Sequence, residues 1–260
     1  MNLIVEHSGT DHEITIIKLN RPEMLHAFTT EMAEQLLTVL NEIKNDSTVR
    51  VVILSSTTEK AFCSGADLKE RKHMTDEQWK QQHELFERMF YTLEDLPQPT
   101  IAAVNGYALA GGFELALCCD LIVAGTGAMF GLPEVNRGIM PGCGGARLLP
   151  KRIPLHIAKE WLFTGQIVSA QLADHAGLLN AVVNPEKVIE TALLLAKSIT
   201  NNAPLGVQGT KRMANATFAL EAEEARKLEI QIYNEVIASH DRLEGVNAFN
   251  EKREPNFTGK

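Results

Sequence analysis

Hydrophobic and polar positions follow two different periods along the chain, and each period predicts one kind of secondary structure. Apolar residues recur at helical spacing from Met32 to Ile43, directly after a capping sequence that begins at Thr29. Runs that are rich in β-branched residues or continuously apolar predict strands instead. The pattern predicts strands at 13–19, 49–54, 100–104 and 121–124, one helix up to Lys44, and further helices at 76–96 and 112–118. This alternation indicates an α/β fold.

The chain has a different character after Pro141. One strand is predicted there, at 179–183, and the other apolar patterns after Pro141 are helical. The predicted helices span 147–153, 157–163, 170–176, 186–199, 205–218, 221–238 and 241–249. Asn201 to Pro204 breaks the pattern. The chain is therefore predicted to consist of a core at residues 1–198 and a C-terminal helical region at 199–260.

Composition narrows the class of protein. The chain has 260 residues, of which 45% are hydrophobic and 22% charged, which is ordinary for a globular protein. A net charge of −8 argues against nonspecific binding to nucleic acid or to an anionic membrane. The most apolar segment, 101–124, is interrupted by three glycines and by Asn105, Glu114 and Asp120, so it is not predicted to span a membrane.

The cysteines and the N-terminus bear on location. Cys63, Cys118, Cys119 and Cys143 match no zinc-binding spacing, and the adjacent pair next to apolar residues indicates packing. The N-terminus lacks the basic and apolar regions of a signal peptide. We therefore expect reduced thiols and a cytoplasmic location.

Two glutamates are the first candidates for chemistry. Glu114 and Glu134 each lie in a mostly apolar stretch that contains glycines. A buried carboxylate without partners is costly, so it shifts its pKa, finds hydrogen bonds or serves a function. The pair suggests acid/base chemistry on an activated carbonyl. The alternative is that each carboxylate only caps a helix.

Glycines beside these acids suggest backbone donors. Gly111 and Gly112 lie just before the helix that contains Glu114, where the first N–H groups have no partner within the helix. The segment Gly65 to Asp67 follows another strand and could supply a second donor. Two N–H groups that converge on one oxygen would form an oxyanion hole. The alternative is that these glycines only turn the chain.

Several longer motifs carry a family resemblance. Residues 62–70 read Phe-Cys-Ser-Gly-Ala-Asp-Leu-Lys-Glu, and 101–116 read Ile-Ala-Ala-Val-Asn-Gly-Tyr-Ala-Leu-Ala-Gly-Gly-Phe-Glu-Leu-Ala. Further motifs lie at 130–134 (Phe-Gly-Leu-Pro-Glu), 138–145, 162–165 and 241–249. Together they resemble, in order and over nearly the whole chain, the crotonase or enoyl-CoA hydratase/isomerase superfamily.

The resemblance implies a fold and an assembly. It implies a spiral of stacked β-β-α turns with a C-terminal helical region, so that residues 199–260 would be a trimerisation region. It further implies homotrimers, or hexamers built as dimers of trimers. The substrate would be an acyl-CoA thioester, so that CoA is part of the substrate and not a cofactor. No metal or redox cofactor would be needed.

The resemblance also assigns site residues. The paired N–H donors of the family correspond to Ala66 and Gly111, which would hold the thioester oxygen as it gains enolate character. Substrate binding would involve the loop that contains Ala66, Asp67, Leu68 and Lys69.

The two acids separate branches of the superfamily. Members that hydrate enoyl-CoA carry acids at both positions that match Glu114 and Glu134, whereas several isomerases keep one. The resemblance therefore implies an enoyl-CoA hydratase that adds water across C2=C3 of a 2-enoyl-CoA, in fatty-acid or branched-chain amino-acid breakdown. Glu114 would activate the water and Glu134 would protonate C2, although two coupled acids need not keep fixed roles. An enoyl-CoA isomerase is the alternative within the fold.

A finer resemblance concerns the substrate. Residues 66–71, Met74 and the segments 241–245 and 251–255 resemble 3-methylglutaconyl-CoA hydratases of leucine breakdown. That substrate carries an additional carboxylate, which Arg71, Lys72 or Arg147 could bind, but we expect these residues to be surface charges. A straight-chain substrate stays equally open.

Some positions depart from the family pattern. Ala110 stands where a third glycine is common, His26 replaces an asparagine, and residues 146–149 replace a Thr-Gln-Arg-Leu sequence.

His26, His73 and His83 are expected to be surface or packing residues, and covalent catalysis is disfavoured because no base lies near Cys63 in the sequence. RNA binding, which some relatives are reported to perform through a lysine-rich helix, is disfavoured because the basic residues at 79–91 are balanced by acidic ones.

Overall fold

Two β-sheets organise the chain, of which the computed structural model describes residues 2–10 and 12–260. The larger sheet contains six strands in the order β1 (Leu3–Ser8), β2 (Ile14–Leu19), β3 (Val51–Ser56), β5 (Thr100–Val104), β7 (Leu121–Gly125) and β10 (Ala181–Val183). The smaller sheet contains β4 (Ala61–Cys63), β6 (Tyr107–Leu109), β8 (Met129–Gly131) and β9 (Ile167–Ser169), in that order.

The chain passes repeatedly from the large sheet to the small one and then into helical structure. In three successive turns, β3 is followed by β4, β5 by β6, and β7 by β8. Neighbouring turns pair in parallel within each sheet: β3 with β5 and β5 with β7 in the large sheet, and β4 with β6 and β6 with β8 in the small one. This arrangement confirms the predicted α/β fold with β-β-α turns.

Helices cover the sheets and follow them at the C-terminal end. The helices are α1 (Thr30–Lys44), α2 (Leu68–Arg71), α3 (Asp76–Glu94), α4 (Gly111–Cys118), α5 (Gly145–Arg152), α6 (Leu155–Thr164), α7 (Ala170–His175), α8 (Val188–Thr200), α9 (Pro204–Ala216), α10 (Ala222–Ile237) and α11 (His240–Glu251). Short 3-10 helices lie at Pro22–Met24, Pro133–Arg137 and Pro185–Lys187.

The large sheet is buried on both faces, and this explains its nearly continuous apolar strands. Successive side chains of a strand point to opposite faces. In β3, Val52 and Leu54 join the core formed with α1 and α3, whereas Val51 and Ile53 face α8. A parallel sheet covered by helices on both faces needs apolar residues at every strand position.

The predicted elements are mostly confirmed, with corrections among the short strands. The strand at 100–104 has the predicted bounds, and the Thr29 side chain caps α1 as expected. The prediction of a single strand after Pro141 is wrong, because β9 also lies there. No strand was predicted at β1, β4, β6 or β8 either. Three-residue strands are too short to show a period, and β1 is a half-exposed edge strand that carries polar residues.

The predicted division into two regions can be located on the fold. The boundary at 198/199 falls in the last turn of α8, which packs on the large sheet through Val188, Ala192 and Ala196. Helices α9 to α11 follow it. The division at this point stays a prediction. None of the helices in the described ranges has the length and apolar character that are needed to cross a bilayer.

Candidate active site

A cavity of about 640 Å³ lies where several segments of the spiral meet. The loop before α2, the start of α4, the 3-10 helix at Pro133–Arg137 and the loop before α5 contribute to it. Its lining includes four of the predicted catalytic and oxyanion-hole residues, namely Ala66, Gly111, Glu114 and Glu134. Another cavity, of about 460 Å³ near α9 and α10, contains none of them.

Glu114 lies in the first turn of α4, and its side chain is 3% exposed. Its Oε1 atom accepts hydrogen bonds from the backbone N–H groups of Cys143 and Gly145, both at 2.8 Å. Burial raises the pKa of Glu114, and these two hydrogen bonds oppose the rise. Because Oε1 accepts both bonds, Oε2 is the oxygen that is left to contact a substrate or a water.

The helix-cap alternative is partly correct for Glu114. Gly145 is the first residue of α5, so the Glu114 carboxylate accepts from an N–H group at the start of α5 and does not cap its own helix, α4. This contact fixes the carboxylate in the cavity wall, and Glu114 therefore combines a structural contact with a place in the candidate site.

Glu134 lies in the 3-10 helix Pro133–Arg137 and is 7% exposed. Among the residues that the structure describes, none hydrogen-bonds to its buried Oε2 atom. Burial raises the pKa of Glu134 to about 7, and the nearby negative charge of Glu114 adds to the rise, while a backbone hydrogen bond and Arg137 oppose it. A buried polar atom without a partner is rare in folded proteins and is typical of functional sites.

The backbone at Ala66 directs an N–H group away from the neighbouring strand segment. Ala66 forms a parallel bridge with Phe28, in which Phe28 donates to the Gly65 carbonyl and accepts from the Asp67 N–H, both at 2.9 Å. In such a bridge the bonds go to the residues that flank the bridged residue. The N–H group of Ala66 itself is thus left out of the bridge.

The second predicted donor, the N–H group of Gly111, lies close to this loop. As the first residue of α4, Gly111 has no partner within the helix for its N–H group. A Cβ atom added at Gly65 would lie 3.2 Å from the Gly111 nitrogen, and Gly65 has a φ of +98° that favours glycine. The fold therefore brings the two loops with the predicted donors into contact, which the sequence could not show.

Ala110 adjoins this loop in a backbone conformation that is unusual for a residue with a side chain. It has a φ of +50° and a ψ of −128° immediately before α4. Positive φ angles are favoured by glycine, which explains why a glycine would be suited to this position. The chain thus holds a strained residue beside the predicted donor Gly111.

The remaining predicted substrate-binding residues divide into two groups. Leu68 lines the cavity and is 53% exposed, whereas Asp67 and Lys69 are not part of the lining. Asp67 instead caps α2 through the Lys69 N–H and forms an ion pair with Arg21 at 3.0 Å. Binding of CoA by this loop stays a prediction.

The three candidate cations also have different positions. Lys72 is exposed, and Arg147 forms an exposed ion pair with Glu94, so both are surface charges as expected. The same expectation is wrong for Arg71, which lines the cavity. Local periodicity could not reveal this, because the short helix α2 is oriented by its packing.

Further cavity residues were missed or assigned to the surface. Phe28, Trp79 and Phe86 line the cavity without having been predicted, and His83 lines it too. The periodic pattern of α3 indicates which residues face inward, but it does not distinguish a packed core from a cavity wall. His26 is fully buried and accepts a hydrogen bond from the Arg21 N–H at 3.0 Å, which confirms its packing role.

The environment of the cysteines disfavours a nucleophilic role. All four lie in the described part of the chain and are buried free thiols. Burial raises the pKa of Cys63 and of Cys119 to about 12, which keeps these thiols protonated. The packing interpretation of Cys118 and Cys119 is thereby confirmed.

Comparison with known proteins shows similarity over the whole chain. The family model described as enoyl-CoA hydratase/isomerase matches residues 9–260. The short-chain-enoyl-CoA hydratase of Clostridium acetobutylicum is 37% identical over 252 residues, covering 97% of this chain and 95% of the relative. The crotonyl-CoA hydratase of Syntrophomonas wolfei is 32% identical over 259 residues, covering 100% and 98%. The crystal structure of an enoyl-CoA hydratase from Bacillus anthracis superposes with a TM-score of 0.97 at 38% identity and covers all of both chains.

Proposed function

Because this chain belongs to the enoyl-CoA hydratase/isomerase family, we propose that it is an enoyl-CoA hydratase that adds water across the C2=C3 bond of a 2-enoyl-CoA thioester. The observation that carries the proposal is the presence of two buried carboxylates, Glu114 and Glu134, in the wall of one cavity beside Ala66 and Gly111. Two relatives of this chain are named as hydratases, one of short-chain enoyl-CoA and the other of crotonyl-CoA.

The first part of the reaction is activation of the thioester. The N–H groups of Ala66 and Gly111 would donate to its carbonyl oxygen, whose negative charge grows as electrons move from the double bond. Fixed backbone donors stabilise such a charge without reorganisation, and removal of one donor from an oxyanion hole typically costs about 2.7–4 kcal/mol of barrier. C3 then becomes susceptible to attack by water.

The second part is transfer of the elements of water. The ionised Glu114 would accept one proton from water while the water oxygen bonds to C3, and Glu134 would give a proton to C2. The product is a 3-hydroxyacyl-CoA. After the step Glu114 is protonated and Glu134 is ionised. Two backbone N–H bonds favour the charged form of Glu114, whereas Glu134 has a pKa of about 7 and retains its proton more readily.

An isomerase is the alternative within the family. An isomerase would move one proton between two carbons with a single acid, and the second acid would have no catalytic role. The second buried acid favours hydration, because a buried carboxyl group is costly to retain. Within hydratases, the two candidate substrates are a straight-chain 2-enoyl-CoA and 3-methylglutaconyl-CoA.

The experiment is a substrate panel with the purified full-length chain. It comprises crotonyl-CoA, a longer 2-enoyl-CoA, a 3-enoyl-CoA and 3-methylglutaconyl-CoA. Loss of absorbance of the conjugated thioester, together with identification of the 3-hydroxyacyl product, would support the proposal. Conversion of the 3-enoyl-CoA to the 2-enoyl-CoA without any hydrated product would show an isomerase and contradict it.

We also propose a homotrimer, or a dimer of trimers, in the cytoplasm. Several large apolar side chains of the C-terminal helices and their connections are exposed in the single chain, among them Phe218, Tyr233 and Phe249, the last at 83%. Exposed apolar residues of this size are typical of surfaces that are covered by another subunit. Light scattering on the purified protein measures the assembly, and a monomer at micromolar concentration would contradict it.

A further inference from the structure

Arg71 is held inside the cavity by two aromatic rings. Its guanidinium carbon lies 4.2 Å from the centroid of the Trp79 ring and 5.2 Å from that of Phe86. Both rings line the same cavity as Arg71. Stacking on aromatic faces is a favourable environment for a guanidinium group and restricts the directions in which its N–H groups can point.

One edge of the guanidinium is fixed by a hydrogen-bond network. Nε of Arg71 donates to Oε1 of Gln82 at 2.7 Å. The Gln82 amide in turn donates to Thr30 Oγ1 at 2.8 Å and to Glu70 Oε2 at 3.0 Å. Because both amide hydrogens of Gln82 are used, its oxygen is constrained to face Arg71.

Among the described residues, the other edge of the guanidinium has no anionic partner, and the adjacent acid Glu70 is instead bound by Gln82 and by the Thr30 N–H. Burial lowers the pKa of Arg71. A partly buried cation without a counter-ion is unfavourable, and the fold alone does not explain its presence.

The position of Arg71 relative to the catalytic acids indicates which part of a substrate it meets. Arg71, Cys143 and Glu114 line the same cavity. The N–H group of Cys143 is bonded to Glu114. An acyl chain whose double bond reaches Glu114 therefore occupies the cavity into which Arg71 projects.

We propose that Arg71 binds a carboxylate at the far end of the acyl group and thereby selects 2-enoyl-CoA substrates that carry such a carboxylate. This inference rests on the proposed hydratase function. A carboxylate in this cavity would be repelled by the ionised Glu114. The free edge of Arg71 offsets the repulsion, because its two terminal nitrogens match the two oxygens of a carboxylate.

The test uses pairs of substrates that differ only in the end group. Glutaconyl-CoA is compared with 2-pentenoyl-CoA, which has a methyl group in place of the carboxylate, and 3-methylglutaconyl-CoA is compared with 3-methyl-2-pentenoyl-CoA. The variant is Arg71→Met, which keeps the length of the side chain without its charge. Lys72→Met, which removes the next cation along the chain, is the matched control because Lys72 is exposed.

We expect the unmodified protein to favour the acid member of at least one pair by about tenfold or more in kcat/KM. Arg71→Met should lower kcat/KM for that acid member by about ten- to hundredfold and for the methyl member by less than about threefold. Lys72→Met should change neither. An equal loss for both members would show that Arg71 contacts the CoA moiety or supports the fold, and would overturn the proposal.

Inhibition provides a readout that needs no variant. Glutaryl-CoA and pentanoyl-CoA lack the double bond, so they occupy the cavity without reacting. As inhibitors of crotonyl-CoA hydration by the unmodified protein, glutaryl-CoA should act at a concentration at least about tenfold lower than pentanoyl-CoA. Equal inhibition by the two compounds, together with absence of an acid preference in turnover, would overturn the role of Arg71. The proposed hydratase function would still stand if the protein hydrated crotonyl-CoA. Failure to hydrate any member of the panel would instead contradict the function itself.

Discussion

Glu114 and Glu134 line the same cavity, but the segments that hold them differ. Glu114 is anchored in a regular helix, and two backbone N–H groups from the loop before α5 bind one of its oxygens. Glu134 lies in a 3-10 helix, and its buried Oε2 has no hydrogen-bond partner among the described residues. The two carboxyl groups are therefore similarly buried, but their hydrogen-bond partners give them different electrostatic environments.

The difference teaches how one cavity can contain an acid and a base. Desolvation raises the pKa of both groups, but hydrogen bonds to a carboxylate favour its charged form. Glu114 receives two such bonds, from Cys143 and Gly145, whereas the pKa of Glu134 still rises to about 7 although one backbone hydrogen bond opposes the rise. These environments support our proposal that Glu114 is the base and Glu134 the proton donor, although two coupled acids need not keep fixed roles.

The largest expected effect follows from removal of the base. Glu114→Gln keeps an oxygen that can accept from Cys143 and Gly145, so the fold should persist, but it cannot accept a proton from water. We expect kcat for crotonyl-CoA hydration to fall by about 10²–10⁴-fold. Circular dichroism and a thermal melt serve as the folding control. Hydration at the unmodified rate by a correctly folded variant would contradict the assignment.

The second prediction concerns stability and its dependence on pH. The pKa of Glu134 rises from 4.5 to about 7 on folding, so the native state binds its proton more tightly and loses stability as pH increases between these values. A rise of this size corresponds to about 3 kcal/mol. Glu134→Gln, which carries no charge, should be more stable than the unmodified chain by roughly that amount at pH 8 and by little at pH 4.

Urea unfolding at the two pH values measures this difference. Glu114→Gln is the matched comparison, because its hydrogen bonds already compensate part of the desolvation of the carboxylate. We expect its gain in stability at pH 8 to be smaller than that of Glu134→Gln. An equal gain for both variants would show that the two environments do not differ as the hydrogen bonds indicate.

The third prediction concerns the rate. If Glu134 must be protonated to act, kcat/KM should fall about tenfold per pH unit above an apparent pKa of about 7. A full pH profile with crotonyl-CoA at constant ionic strength measures this limb. The residual activity of Glu134→Gln should lack it, and persistence of the same limb in that variant would assign it to another group.

The smallest expected effect comes from the loop that binds Glu114. Gly144 lies between the two donor residues and has a φ of +117°, so Gly144→Ala should strain the turn and weaken one or both N–H bonds. With less compensation, the pKa of Glu114 should increase, and the acidic limb of the rate profile should move to higher pH by a few tenths of a unit. Gly177→Ala is the control, because Gly177 has a φ of +84° and lies outside the cavity lining. The same shift in both variants would contradict a specific role of the loop.

Local pattern was sufficient for the longer elements and for the identity of the acids. The helix after Thr29 and the strand at 100–104 follow from periodicity, and Glu114 and Glu134 stand out because charged residues are rare in such apolar surroundings. The three-residue strands of the smaller sheet were not predictable in this way. Their pairing depends on neighbours from other turns of the spiral.

The amino-acid sequence by itself determined the α/β class, the family resemblance and the candidate acids, because these depend on residue type and on spacing over a few turns. The tertiary structure decided the surroundings of those acids. Glu114 receives its two hydrogen bonds from residues 29 and 31 positions away. Arg71 likewise points into the cavity because α3 supplies the two rings on which it stacks. Contacts between distant segments are set by how the turns of the spiral pack, and no local period records them.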